Sequence, residues 1–474
     1  MNDVVIIGNG PAAHRLAERL RHHGHEAGLT LLGEEPEPAY HRTLLPHYAA
    51  GSLARASLHL PPVPGARVHL GTVVTAIDRE RQRVYAYRHG VETVHRYDTL
   101  VLATGARPDV PDVPGLREPG GGPAPGVTTL RTTADCDRMN GGSVVVLGGE
   151  PLGVEAASAL AARGNGVTLV CPGAHPLHDR VDDVCGGMLT ARLEAAGVTV
   201  LGAATAVRRT PGHLELSDGT TLSADTVVLC AGVTPDTRLA RAAGLDVGAG
   251  IVVDDRLRTS DPSIHALGDC AQFDGQTLIG ISGAHEQADT LARILTGRPA
   301  VHRRVPRILR VRSRAADLSC IGSPADFDRP GTRQITLTDR TRLRYARVAV
   351  RDEHVTAAVL FGVPQAIATI GMLHRSDRRL PGDLLGLLLD LPPRPASDSA
   401  GASADPVVCL CNHVTRQRLH RAWQDGARTV PALASGTRAT TGCGGCGQAV
   451  EELCGQWARG TRDLVEETCP ALSS

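Results

Sequence analysis

The chain contains no lysine: all 50 of its basic side chains are arginine, set against 50 acidic ones. Its absence excludes a P-loop with its lysine, a Schiff-base nucleophile and a Ser–Lys pair. A net charge of zero gives no general attraction to nucleic acid or to an anionic membrane surface. Aromatic residues make up 2% of the chain, too few for base-stacking platforms. No uncharged apolar run approaches the roughly 18 residues of a membrane span. Met1-Asn2-Asp3 leads directly into Val4-Val5-Ile6-Ile7, without a basic segment or cleavage site. The expectation is a cytoplasmic protein that engages neither membrane nor nucleic acid. In that compartment 12 cysteines point to metal or redox chemistry rather than to a disulfide scaffold.

What is present is a repeated pattern. The length of 474 residues suggests several domains. Val4–Ile7 is an apolar run followed by Gly8-Asn9-Gly10-Pro11-Ala12-Ala13 and a helical stretch to His22. Val144–Leu147 is followed by Gly148-Gly149-Glu150-Pro151-Leu152-Gly153 and a helical stretch to Arg163. Each helix leads to another apolar run, Leu29–Leu32 and Val167–Val170. Two such βαβ units are the layout of two Rossmann-like nucleotide-binding domains in an α/β protein. In the first, Gly8 permits the tight turn, Gly10 lets a pyrophosphate approach the helix N-terminus, and Ala13 allows helix–sheet packing. Glu34 and Glu35 follow the second strand, where an acid can hold a ribose hydroxyl.

The second loop departs from the pattern. Glu150 stands where the middle glycine is expected, adding bulk and negative charge beside a pyrophosphate. Gly148, Gly153 and Glu155 still match. Cys171 follows Val170, so neither an acid selective for NAD nor an arginine selective for NADP stands there; the lack of a basic residue leans toward NADH.

Further along, Val305–Val311, Ile335–Leu337, Leu343–Val350 and Val355–Phe361 read as short strands of a separate α+β layer. Arg303, Arg304, Arg307, Arg310, Arg312 and Arg314 are expected on an exposed strand face. Leu384–Leu389 is too short to span a bilayer and is expected to be buried. His22-His23-Gly24-His25 reads as solvated surface at a helix end. Residues 391–406 are rich in proline, alanine and serine and read as a flexible linker. The segment 407–474 is too small to bury a large core, so a metal staple is expected in it. Cys409-Leu410-Cys411 and Cys443-Gly444-Gly445-Cys446 supply four soft thiolates, separated by 31 residues. They suit a [2Fe–2S] cluster, with structural zinc as the alternative. The surrounding glycines free backbone N–H groups for cluster sulfurs, and Thr415 is placed to cap the helix beginning at Arg416.

Two more segments carry a family resemblance. Ala103-Thr104-Gly105-Ala106-Arg107-Pro108 and Thr259-Ser260-Asp261-Pro262-Ser263-Ile264-His265-Ala266-Leu267-Gly268-Asp269-Cys270 resemble segments of the FAD- and pyridine-nucleotide-dependent oxidoreductases. That resemblance implies FAD at the first loop, with Asp269 on the ribityl chain, and a nicotinamide nucleotide at the second, with Glu155 near its ring and Gly232 among the nucleotide positions. It also implies an FAD domain (1–112 and 236–300) split by an inserted NAD(P) domain (113–235), followed by an α+β interface domain (301–390). No C-x4-C or C-x2-C pair occurs before residue 443, and no cysteine stands in Tyr40-His41-Arg42-Thr43-Leu44-Leu45. The cysteine-based disulfide reductases, peroxidases and oxidases of the superfamily therefore find no match, and electrons leaving the flavin need another carrier.

Cys409–Cys446 is similar to bacterioferritin-associated ferredoxin-type domains. Gly33-Glu34-Glu35-Pro36, Ala39-Tyr40-His41-Arg42 and Leu177-His178-Asp179-Arg180-Val181-Asp182 resemble the N-terminal part of NADH–nitrite reductase large subunits and the electron-transfer subunits of assimilatory nitrate reductases. The resemblance implies electron flow from NADH (or NADPH) through FAD and [2Fe–2S] to a redox partner, a nitrate or nitrite reductase catalytic subunit. No sirohaem half follows in this sequence, so nitrite reduction by the chain itself is not expected. The rival expectations are an amino-acid or opine-type dehydrogenase subunit, and a redox-sensing flavoprotein with a decayed nucleotide site.

Overall fold

In the computed structural model the described residues are 2–139, 141–304, 308–313, 315–381, 384–389, 405, 407–409, 412, 414–440 and 446–468. The chain divides into two compact units, Met1–Leu391 and Pro392–Ser474.

The first unit holds two parallel five-stranded sheets. In chain order their strands are β1 (Val4–Ile7), β2 (Leu29–Leu32), β3 (Arg67–His69), β4 (Thr99–Leu102), β5 (Val127–Thr129), β6 (Ser143–Leu147), β7 (Gly166–Val170), β8 (Val198–Leu201), β9 (Thr226–Leu229) and β10 (Ile264–Ala266). One sheet runs β10-β4-β1-β2-β3, the other β8-β7-β6-β9-β5. Every residue of β1, β4 and β9 is buried. That explains their unbroken apolar sequences: parallel strands covered on both faces have no polar side. The second sheet is built entirely from residues between the strands of the first, so the expected α/β architecture of two Rossmann-like layers is present.

Helices α1 (Pro11–His22) and α2 (Pro151–Ala162) each begin with proline in the first turn, where its missing N–H costs nothing. The apolar face of α1 (Ala13, Leu16, Ala17, Leu20) packs with Ala288, Leu291 and Ala292. These belong to a later helix, Ile281–Leu295. Helix α3 (Asp183–Ala195) starts at Asp182, whose carboxylate accepts the N–H of Cys185 at 3.0 Å and so satisfies an orphan donor.

An antiparallel five-stranded sheet closes this unit: β11 (Ile308–Arg312), β12 (Asp317–Ile321), β13 (Arg333–Asp339), β14 (Arg344–Arg351) and β15 (His354–Phe361), in the order β11-β12-β15-β14-β13. The expected α+β layer is there with one strand more, β12, whose Asp-Leu-Ser-Cys-Ile sequence carries a weak alternation. Of the arginines expected on an exposed face, Arg303 and Arg304 are exposed but Arg310 and Arg312 are not. Val311 is fully buried, Arg310 pairs with Asp317 at 2.7 Å, and Arg310 and Arg312 are only partly accessible. Arg307 and Arg314 lie outside the described residues.

Two more expectations fail locally. His25 is 2% exposed, because the chain turns at Gly24 and carries it under β1, while His22 remains on the surface. The short helix Leu384–Leu388 buries Leu384 and Leu388 but leaves Leu385 and Leu389 exposed, since one helix face cannot cover all its positions.

The second unit is a two-stranded ribbon, β16 (Val407–Cys409) and β17 (Val414–Thr415), with helices Arg416–Gln424, Val430–Thr437 and Gly447–Thr468. Leu419, Trp423, Leu433 and Val450 form its small core. Thr415 caps the first helix as expected, accepting the Arg418 N–H at 3.3 Å. Of the segment read as a linker, all but Asp405 lies outside the described residues, as do Cys411, Cys443 and Cys469.

Candidate functional site

The first glycine turn is dictated by crowding. Gly8 has φ +113°, and a Cβ there would stand 2.2 Å from the Ala103 carbonyl oxygen. Only glycine lets β1 turn beside the Ala103-Thr104-Gly105 bend. Thr104 fixes that bend by donating its hydroxyl to the Asp236 carbonyl at 2.6 Å. No side chain caps α1 at Gly10, so its first-turn N–H groups remain available to an anion. A Cβ on Gly10 would meet only the Arg42 guanidinium, at 3.8 Å or more. Beside this open cradle the buried Asn9 Nδ2 has no protein partner, which suits a ligand oxygen. Gly268 comes so close to α1 that its Cβ would lie 3.1 Å from Ala12 Cβ. Ala13 is fully buried.

A chain of charges lines the same face. Asp269 accepts the Gly280 N–H at 2.9 Å and pairs with Arg131 at 2.8 Å. Arg42 donates to the Arg131 carbonyl at 2.8 Å and to the Tyr40 hydroxyl at 2.9 Å. Glu35 takes the other ends, from Tyr40 at 2.6 Å and from Arg42. Glu35 is thus held within the protein, whereas Glu34 is exposed beside it. The turn therefore gathers Gly8, Gly10, Ala13, Ala103, Thr104, Gly105, Gly268 and Asp269, with Arg42 and Arg131 added. Sequence reading missed both arginines. Arg131 follows β5 at a separation no local motif records; Arg42 stood in the quoted Tyr40-His41-Arg42 segment without a role.

The second turn repeats the geometry. Gly148 has φ +121°, and a Cβ there would stand 2.3 Å from the Cys230 carbonyl oxygen; on Gly153 a Cβ would stand 1.8 Å from the Gly148 carbonyl oxygen. Gly232 lies just beyond Cys230 with φ +118°, and its carbonyl accepts the Asp109 N–H at 3.0 Å. Glu150 is the N-cap residue of α2, yet its side chain makes no cap. It leans to Arg180, at 3.7 Å, with both side chains partly in solvent. Its charge is thus partly offset and screened, which softens the conflict expected at this position. Glu155 accepts the Arg312 N–H at 2.8 Å, and burial pushes its pKa up to about 7.

In the second unit Cys409 is buried at the end of β16, and Cys446 packs against the same core just before the last helix. The Thr440 N–H points at Cys446 Sγ, 3.2 Å away, a donor of the kind that tunes cluster sulfurs. The two described thiols thus fit an iron–sulfur donor set. The earlier cysteines Cys136, Cys171, Cys185, Cys230, Cys270 and Cys320 are buried as single thiols. Among the described residues no helix is long and apolar enough to cross a membrane.

Two glycine turns on two parallel sheets, one sheet inserted within the other's chain, define a two-nucleotide oxidoreductase. The chain belongs to the pyridine nucleotide-disulphide oxidoreductase family, whose model matches residues 2–290. Residues 407–455 match the BFD-like [2Fe-2S] binding domain. FAD, NAD(P)H and a [2Fe–2S] cluster are the cofactors that these two matches bring. It is 29% identical to the nitrite reductase [NAD(P)H] large subunit of Klebsiella oxytoca, over 95% of this chain and 48% of that one. It is 28% identical to the assimilatory nitrate reductase electron transfer subunit of Bacillus subtilis, over 95% and 59%. The chain therefore spans about half the length of these relatives. Rhodocoxin reductase of Rhodococcus erythropolis is 36% identical over 64% of this chain and 74% of its own. The covalent putidaredoxin reductase–putidaredoxin complex superposes with a TM-score of 0.72 at 28% identity, covering 82% of this chain and 97% of that one.

Proposed function

We propose that the protein carries electrons from NADH, through FAD and a [2Fe–2S] cluster, to a separate redox partner, the catalytic subunit of a nitrate or nitrite reductase. The observation that carries this reading is the presence, on one chain, of two glycine turns of like geometry and of a cluster-type cysteine set. When bound, FAD takes a hydride's two electrons and can release them singly, which matches a one-electron cluster.

The chain's own residues place these groups. Gly8, Gly10 and the α1 N-terminus receive the FAD pyrophosphate, with Ala13, Ala103, Thr104, Gly105 and Gly268 shaping the cradle. Asp269, oriented by Arg131, faces the ribityl hydroxyls; Glu34 is the acid free to meet a ribose, because Glu35 is held by Arg42 and Tyr40. Gly148, Gly153 and the α2 N-terminus receive the nicotinamide nucleotide, with Gly232 flanking and Glu155 near its ring. Cys409, Cys411, Cys443 and Cys446 hold the cluster. The domains divide as 1–112 with 236–300 for FAD, 113–235 for NAD(P), 301–390 as interface and 407–474 for the cluster, joined by 391–406. The relatives that align over 95% of this chain act in nitrate and nitrite reduction by name, and this supports the choice of partner.

The charge of Glu150 is partly offset by Arg180, 3.7 Å away, so the reductase reading keeps stronger support than an opine-type dehydrogenase. The partner is tested by adding a nitrate or nitrite reductase catalytic subunit to the purified holoprotein. NADH oxidation is expected to accelerate with nitrate or nitrite as final acceptor. An unchanged rate with both contradicts the partner assignment.

A further inference from the structure

Between β7 and α3 lies a group of side chains that the electron-transfer reading does not use: His175, His178 and Asp183. Their ligand atoms, one from each residue, all lie within 4.8 Å of one another. His175 is buried, while His178 and Asp183 are exposed, so the group opens to solvent on one side.

The hydrogen bonding at His175 is informative. Its Nδ1 lies 3.0 Å from the Pro176 carbonyl oxygen. A carbonyl only accepts, so Nδ1 carries the proton, and in the neutral ring Nε2 presents a lone pair. That Nε2 faces Asp183 Oδ1 at 3.3 Å. A carbonyl that holds the distal N–H of a histidine is the usual outer-sphere support of a metal-bound imidazole. Around tetrahedral zinc, with bonds of about 2.0–2.1 Å, neighbouring ligand atoms stand about 3.4 Å apart. The His175–Asp183 spacing of 3.3 Å is close to that, and the His178 donor lies within 4.8 Å of both.

The backbone makes room for the two rings. A Cβ on Gly186 would stand 2.1 Å from His175 Nδ1, and one on Gly173 would stand 2.4 Å from His178 Cβ. Glycine at both positions lets the rings approach, with centroids 5.1 Å apart and planes at 68°. The same loop is tied to the second glycine turn, since Leu177 donates its N–H to the Gly149 carbonyl at 2.9 Å.

We propose that His175 Nε2, His178 and Asp183 bind a divalent transition-metal ion of the zinc class, with water completing the coordination. Imidazole and carboxylate donors select such an ion over calcium or magnesium. Bound there, the ion clips the loop from Cys171 to Asp182 to the start of α3, beside the wall of the second nucleotide turn. The assignment rests on these side chains alone and stands or falls independently of the redox partner.

The test uses the full-length holoprotein, its cluster loaded so that the cysteines do not compete for metal. The protein is stripped with a mild chelator and dialysed against buffered zinc, and bound zinc per chain is counted by elemental analysis. The wild type is expected to take up one zinc that His178→Ala and Asp183→Asn do not, with affinity falling on the order of a hundredfold in each. Both residues are exposed, so the variants keep the fold, which far-ultraviolet circular dichroism and unchanged flavin content verify. Zinc is also expected to raise the melting temperature of the wild type but not of the variants. No tight zinc in the wild type, or equal zinc in all three proteins, overturns the proposal.

Discussion

Arg131 and Asp269, 138 residues apart in sequence, meet in an ion pair of 2.8 Å at the first nucleotide turn. Both side chains are largely shielded, so the pair orients the carboxylate proposed to meet the ribityl chain. Arg131→Ala removes that restraint and leaves Asp269 with the Gly280 N–H alone, at a cost of about 1–3 kcal/mol. The expected outcome is loss of FAD on gel filtration and a lower melting temperature. Retention of stoichiometric FAD would contradict the role given to the pair.

Gly153 offers a sharper steric test at the second turn. Its Cβ position lies 1.8 Å from the Gly148 carbonyl oxygen, and the obstacle is backbone rather than a movable side chain. Gly153→Ala must displace the turn, with a cost of about 1–3 kcal/mol. Flavin content should stay normal while reduction by NADH fails, which anaerobic spectra would record.

Glu155 gives a pH dependence. Its pKa in the folded chain is raised by burial to about 7 from the ordinary glutamate value of 4.5. Between those values the native state binds the extra proton, so stability is highest below the unfolded pKa and falls as pH rises through about 7. Glu155→Gln keeps an acceptor for the Arg312 N–H and removes the titration. Denaturant melts of wild type and variant at pH 5 to 8 should diverge on the acidic side of neutrality; parallel profiles would show that Glu155 does not titrate there.

Cys409 tests the second unit by itself. Cys409→Ser replaces a buried thiolate donor, so iron content and the cluster's visible absorbance should be lost. Reduction of the flavin by NADH should persist. Equal iron in the variant would remove Cys409 from the ligand set.

The glycine turns were legible because steric necessity is local. Gly8 and Gly148 sit directly after apolar strands, and nothing larger fits beside the Ala103 and Cys230 carbonyls. The strands around them were legible for a related reason, since full burial on two faces leaves mostly Val, Ile and Leu, with a threonine opening β4 and β9. The partners that orient the site were not legible. The Arg42–Arg131 and Arg131–Asp269 contacts join segments brought together only by the fold, and no periodicity marks them. Burial of single polar residues was also hidden: His25 and Arg310 look like surface residues in sequence, and tertiary packing covers them. Glu150 shows the opposite case. The residue was noticed, but its direction depends on Arg180, thirty positions away, and a turn motif does not encode that.

The central claim is that one chain passes electrons from a nicotinamide nucleotide to flavin and then to an iron–sulfur cluster. Anaerobic titration of the holoprotein with NADH, followed across the visible spectrum, tests it most directly. The account expects flavin absorbance to bleach and the cluster absorbance to fall with it, accompanied by the electron paramagnetic resonance signal of a reduced [2Fe–2S] centre. A flavin and cluster that both stay oxidised under excess NADH and NADPH would contradict it.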